Sequence, residues 1–301
     1  MSEIRRAVVW LMTLVAIVIA GDHLLALALR QVLLRSNFRY SRLYRGGNDA
    51  DVVILGDSRG VHSFYAPALE ELTGLRALNL SYNSMSPRVM EAVLLDYLER
   101  NRAPRLVLIE PTCVIVGDAL ATELRTYSGF SPRLAALYAA KHPAAAAASR
   151  AFWLYPLNSE FFLEAIHYAR RSDQDWIHHD VVPPALRVPG GTWRLTPYAE
   201  QVDALVRIVR ALRQRGIEVR LVAAPYAPVR RPANAAEFAA MIAARTGVAV
   251  RNDIASIDDL DSFADTVHLN ERGSRALLAL LVRDGVFASV DVRGGADEHP
   301  R

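Results

Sequence analysis

Residues 51–60 read Asp-Val-Val-Ile-Leu-Gly-Asp-Ser-Arg-Gly, and this stretch sets the fold class. Val52 to Leu55 are apolar without alternation and mostly β-branched. A run this short suits a strand, and one with no polar side suits a strand covered on both faces, as in a parallel sheet flanked by helices. Gly56 ends the run, and Gly56-Asp57-Ser58 suits a tight turn from strand into helix.

The same grammar repeats downstream. A helix is expected at about 65–73 and a second strand at Arg76–Ser81. Ser86-Pro87 reads as an N-cap followed by Pro at the first helical position, opening a helix to about Asn101. Arg105–Glu110 is the third strand. Thr196-Pro197 opens a long helix whose Val202, Leu205, Val206, Val209 and Leu212 form one apolar stripe, ended by Gly216. Ile217–Ala224 is the fourth strand; a helix at 233–245, a strand at 248–252 and a helix from Asn270 to about Asp284 complete the pattern. Strands alternating with helices imply an α/β fold with a parallel sheet. Residues 112–195 break the alternation with an Ala-rich segment (Ala135 to Ala148), an aromatic cluster (Phe152, Trp153, Tyr155, Phe161, Phe162) and a Pro/Gly-rich exit, and read as a mainly helical insertion.

At the N-terminus, Ala7 to Ala20 is apolar apart from Thr13, and Leu24 to Leu29 resumes the run after Gly21, Asp22 and His23. Together, 7–29 is long enough to span about 30 Å of hydrocarbon. Bulky apolar residues follow the first run where a cleavage site would need small ones, so an uncleaved transmembrane anchor is expected. The division is then 1–45 for the anchor and its basic flank, 46–290 for the α/β domain with its 112–195 insertion, and 291–301 for a disordered tail. Arg5 and Arg6 precede the span, and Arg30, Arg35, Arg39, Arg42 and Arg45 follow it. Counted on these alone, the positive-inside rule holds the large domain in the cytoplasm.

Composition removes several function classes. With 52% hydrophobic and 22% charged residues, the 301-residue chain is not disordered. Its 35 basic and 32 acidic residues leave +3, too little to mark a nucleic-acid binder. A single cysteine, Cys113, excludes a disulfide framework and a cysteine-based zinc cluster; at the end of strand three, with no base beside it, it reads as a small buried residue. No Gly-rich phosphate loop supports nucleotide binding, and no cofactor is expected.

Ligands of open parallel sheets bind beyond the carboxyl ends of the strands. Ser58 sits there, on a turn where its own N–H lies at a helix start; that suits a nucleophile with a built-in oxyanion donor. Asp265-Thr266-Val267-His268 precedes the last helix. An Asp three residues before a His can accept from imidazole Nδ1–H, leaving Nε2 to take a proton from a serine. Arg59, next to the nucleophile, is a candidate for holding a substrate carboxylate or phosphate. His178-His179-Asp180 reads as a solvated segment rather than a metal site, His62 as an exposed helical residue, and Asp258, Asp259 and Asp261 as a solvated loop.

Gly-Asp-Ser after the first strand and Asp-x-x-His before the last helix together resemble the SGNH (GDSL-type) hydrolase superfamily over about 51–285. The resemblance implies a flavodoxin-like three-layer α/β/α fold, with Ser58 as nucleophile, His268 as general base and Asp265 as its orienting partner. The family takes further oxyanion donors from a Gly after strand two and an Asn after strand three. Ser84 falls at the first position, where its backbone N–H can still donate, and Val114 falls at the second, with the Thr112 hydroxyl and Asn83 amide as possible substitutes. The N-terminal anchor, the missing Asn and the terminal Asp-x-x-His-Leu-Asn look like membrane-anchored SGNH-like proteins of teichoic acid D-alanine transfer and alginate O-acetylation. That likeness implies an esterase or O-acyltransferase on the outer side of the cytoplasmic membrane, acting on an ester of a cell-envelope or exported glycan beside a multi-span membrane O-acyltransferase. The other reading is a non-catalytic assembly subunit with the same fold.

Overall fold

Every residue of the Val52–Leu55 run is fully buried, as its lack of a polar side requires. The structure is a computed structural model describing residues 3–290, so the tail expected at 291–301 lies outside the described residues. Five strands form one parallel sheet: β1 (Val52–Leu55), β2 (Ala77–Asn79), β3 (Leu106–Ile109), β4 (Glu218–Ala223) and β5 (Val250–Asn252), in the order β2-β1-β3-β4-β5. Val52 lies between Ala77 and Leu106, and Leu106 pairs in turn with Glu218.

Eleven α-helices accompany the sheet among the described residues: α1 (Glu3–Arg35), α2 (Arg39–Arg45), α3 (Ser58–Ser63), α4 (Ala66–Thr73), α5 (Pro87–Arg100), α6 (Pro132–Lys141), α7 (Pro143–Ala151), α8 (Glu160–His167), α9 (Ala199–Arg213), α10 (Ala235–Thr246) and α11 (Glu271–Arg283). Val52, Ile54, Leu106 and Leu108 share a core with Leu69 of α4 and Leu277 and Leu281 of α11. The alternate residues Val53, Leu55, Val107 and Ile109 are equally buried, and on the remaining elements α5 packs on α9 and α9 on α10. Both faces of the sheet are therefore covered, which is why β1 and β3 carry no polar side chain.

Several expected details differ. Ser86 precedes α5, but its hydroxyl donates to Asp118 instead of capping the helix. The long helix α9 begins at Ala199, after Thr196-Pro197, because the Tyr198 N–H is bonded to the Val114 carbonyl and holds the chain extended up to that point. Its buried stripe includes Ile208, while Val206 is only half-buried. The 112–195 stretch does not stay together. Of the described residues, 121–172 cluster with 3–45, and 46–120 cluster with 173–290, as two compact units. Helices α6 to α8 belong to the first unit; 173–195, in the second, is irregular apart from one 3-10 turn at Pro184–Leu186.

Within the first unit, α1 runs unbroken for 33 residues, about 50 Å at the helical rise, and is long and apolar enough to cross a membrane. Asp22 and His23 do not interrupt it. The Trp153 and Leu154 amides donate to the Asp22 carboxylate, and His23 stacks on Trp153 with ring centroids 4.2 Å apart while its Nε2–H donates to the Ala151 carbonyl.

Two glycines of the second unit sit where a neighbouring segment leaves no room for a side chain. A Cβ on Gly60 of α3 would lie 2.6 Å from the Ser81 hydroxyl, and one on Gly273 of α11 would lie 2.0 Å from the Ser262 carbonyl oxygen. The second clash is with backbone and cannot be relieved by rotation. Gly273→Ala is expected to destabilise the protein by about 1–3 kcal/mol, lowering Tm by roughly 2–4 °C for each kcal/mol. Calorimetry in detergent checks this; an unchanged Tm would show that α11 does not sit against 260–262.

Candidate active site

The site forms where the carboxyl ends of β1, β3 and β4 meet the 262–270 loop. Ser58 is the first residue of α3, whose N-cap, Asp57, accepts the Arg59 N–H at 2.9 Å. The loop is closed on itself by Ala264 N–H to the His268 carbonyl and Asn270 N–H to the Ser262 carbonyl. Asn270 also caps α11 by accepting the Gly273 N–H.

The structure brings Ser58, His268 and Asp265 together. Ser58 Oγ lies 2.7 Å from His268 Nε2, and His268 Nδ1 lies 2.7 Å from Asp265 Oδ2. The other Asp265 oxygen accepts the Val267 and His268 amides at 2.7 and 2.8 Å. Burial works to raise the Asp265 carboxyl, but the hydrogen bonds from His268 and from the Val267 amide outweigh it and hold it at about 2. An ionised carboxylate only accepts, so Nδ1 carries the proton and Nε2 is the acceptor for the serine hydroxyl.

Arg59 does not face a substrate, contrary to expectation. Its side chain is buried and turned inward: Nε donates to the Thr112 hydroxyl (3.1 Å), and the terminal nitrogens donate to the carbonyls of Ala224, Pro225 and Val267. The Tyr226 ring lies 3.5 Å beneath it, and the Glu110 carboxylate stands 3.7 Å from Nε. Arg59 thus joins the residue after Ser58 to the residue before His268. Thr112, expected as an oxyanion donor, is not free for that role either. Its hydroxyl donates to Glu110 at 2.6 Å and accepts from Arg59, so it is committed to this buried cluster and unavailable to an oxyanion. Burial pushes the Glu110 carboxyl up to about 7, with Arg59 pulling the other way, and burial also raises Asp57 and the Cys113 thiol.

Asn83 and Ser84 are exposed on the turn closed by Met85 N–H to the Tyr82 carbonyl. Ser84 has φ 57°, the left-handed region in which glycine is unstrained. The turn follows β2 along the same rim as Ser58, tied to it by Tyr82 N–H to the Gly56 carbonyl.

The wall beside the site carries residues that local sequence pattern does not mark. His62 is buried rather than exposed, because α3 is covered along its length. It stacks on His178 with ring centroids 4.0 Å apart and stands edge-on to His268 at 5.3 Å. His178, expected in a solvated segment, is half-buried; burial and then the charge of His268 lower its pKa. Trp176 lies 5.0 Å from the Tyr82 ring. The irregular run 174–182 is pinned across the rim by Asn79 N–H to Gln174, Glu271 N–H to the His178 carbonyl and Val182 N–H to the Phe263 carbonyl. Asp258, Asp259 and Asp261 pair with Arg231, Arg272 and Arg187. Among the described residues, no three His, Cys, Asp or Glu side chains converge as a metal-ligand set.

A signal for part of this was present: Glu110 ends an apolar strand with a charge, at the strand end where sites form. Nothing local marked Arg59 as inward-facing or His62 as buried. No protein-family model matches the chain, and no curated protein matches it significantly.

Two outcomes are expected. Arg59→Lys keeps the charge but cannot reach four acceptors in one plane, so it should destabilise the fold by about 3 kcal/mol or more in denaturant melts; near-neutral behaviour would contradict the clasp. Glu110 has a folded-state pKa above its ordinary 4.5. It therefore favours the fold below about pH 4.5 and loses that contribution as pH rises through about 7. Glu110→Gln removes this slope, so between about pH 5 and pH 8 the wild type should lose stability relative to the variant. An equal difference at both values would contradict the assignment.

Proposed function

We propose that the chain is a membrane-anchored serine acyl hydrolase or O-acyltransferase of SGNH type. One observation carries the reading: a hydroxyl, an imidazole and a carboxylate aligned at 2.7 Å and 2.7 Å on an α/β sheet rim. The strand order β2-β1-β3-β4-β5 agrees with the flavodoxin-like layout of that superfamily.

Ser58 Oγ attacks the carbonyl carbon of an ester as its proton passes to His268 Nε2. Asp265 holds the ring and stabilises the imidazolium without taking the proton. The oxyanion is met by the Ser58 N–H, free of a helical partner at the first turn of α3, and by the Ser84 N–H. His268 then protonates the departing alkoxide, leaving Ser58 acylated. A second hydroxyl, from water or from a carbohydrate, gives its proton to His268, attacks the acyl carbon and releases Ser58. Water gives hydrolysis and a carbohydrate hydroxyl gives transfer.

The resemblance directs this chemistry to an ester of a cell-envelope or exported glycan, outside the cytoplasmic membrane, with a multi-span membrane O-acyltransferase as partner. The apolar, exposed α1 supports the anchor. The second reading, a non-catalytic assembly subunit, is favoured by Val114 at the position of the family's Asn and by the commitment of Thr112 to Glu110.

A serine-directed fluorophosphonate separates the two. The wild type should be labelled at Ser58, located by peptide mass spectrometry, with labelling lost in His268→Ala. Asp265→Asn should slow it by up to about 10⁴-fold, because the ring takes the wrong tautomer. A folded wild type that takes no label would leave the assembly subunit as the better reading.

A further inference from the structure

The first unit holds a cavity of about 180 Å³ between α1 and the α6–α7 pair, lined by Arg30, Ser128, Gly129, Tyr138, Ser149 and Arg150. Among the described residues, no carboxylate pairs with Arg30 or Arg150. Two cations on one small cavity without a counter-charge repel each other until an anion joins them. Arg30 is held in place for that role. Its guanidinium carbon lies 5.1 Å from the Trp153 ring centroid, and its Nη2 lies so close over Gly129 that a Cβ there would come within 3.0 Å. The hydroxyl protons of Ser128 and Ser149 are spent on the carbonyls of Arg125 and Ala145, so the two arginines carry the recognition.

The position along α1 says where the anion comes from. Counted from Ala7, just after Arg5 and Arg6, about 30 Å of hydrocarbon takes about 20 helical residues and ends near Ala26 and Leu27. Apart from Val32, Leu24, Leu25 and Leu27 are the last large apolar side chains of α1 that are exposed. Arg30 follows three residues later, about 4.5 Å further, at the depth of the lipid headgroups.

We propose that this cavity binds the phosphate headgroup of an anionic membrane lipid, bridged by Arg30 and Arg150. The acyl chains run along the exposed face of α1. A zwitterionic headgroup brings its own cation against the same arginines and binds less well. This goes beyond the chemistry at Ser58 and rests on α1 as a membrane span, which flotation of the full chain with phosphatidylcholine vesicles tests by itself.

The test is thermal unfolding of the full chain in neutral-detergent micelles, titrated with phosphatidylglycerol, phosphatidylcholine or inorganic phosphate. Phosphatidylglycerol should raise Tm saturably, as a ligand specific for the folded state does; the other two should not at equal concentration. Arg150→Gln, on an exposed position that leaves the fold intact, should weaken the apparent affinity at least tenfold, and Arg30→Gln should do the same if it folds. Arg171→Gln, which removes an exposed arginine away from the cavity, should leave the titration unchanged. An equal response to phosphatidylcholine, a response reproduced by inorganic phosphate, or one that survives Arg150→Gln would each overturn the proposal.

Discussion

The second unit is organised around a cation that water does not reach. Arg59 is buried, and an unpaired charge in such a place costs several kcal/mol. The fold meets that cost by converging on it. Carbonyls of Ala224 and Pro225 after β4, of Val267 beside the site histidine, and the Thr112 hydroxyl after β3 all accept from one guanidinium. The Glu110 carboxyl stands 3.7 Å away, its pKa raised by burial with Arg59 pulling the other way, and Tyr226 closes the lower face. These acceptors come from three other chain segments, 110–112, 224–226 and the one holding Val267, so the planar geometry of one side chain fixes their mutual positions.

Ser58 and His268 inherit their geometry from that arrangement. They are 210 residues apart, yet their immediate neighbours, Arg59 and Val267, are hydrogen-bonded at 2.7 Å. The hydroxyl and imidazole are thus placed by a contact one residue removed from each. Asp265 completes the order locally: by accepting two backbone amides as well as Nδ1–H, it shapes the turn and orients the ring together. The site stands at the rim where β1 lies between β2 and β3, the point at which strand order reverses and open α/β sheets form their crevices.

Much of this was legible in the sequence because it follows from local pattern. Val52–Leu55 and Leu106–Ile109 carry no polar side and so announce strands buried on both faces. Asp265 and His268 are close enough along the chain for their contact to follow from spacing alone. What could not be read depends on tertiary packing. Arg59 looks like any arginine after a turn until its acceptors arrive from three other segments. His62 belongs to a helix of only six residues, too short for its own periodicity to reveal a buried face. His178 and Trp176 sit in a run without helix or strand, and only the hydrogen bonds of Asn79, Glu271 and Val182 show that it crosses the rim. The 112–195 stretch reads as one insertion in the sequence because a change in composition marks where the alternation stops, not which residues pack together.

The central claim is that His268 is held in one tautomer between Asp265 and Ser58. Nitrogen-15 NMR of the histidine rings tests it most directly. The account predicts a proton fixed on Nδ1 and a bare, hydrogen-bonded Nε2, with the first signature lost in Asp265→Asn and the second shifted in Ser58→Ala. A His268 ring that samples both tautomers in the wild type, or that responds to neither substitution, would contradict it.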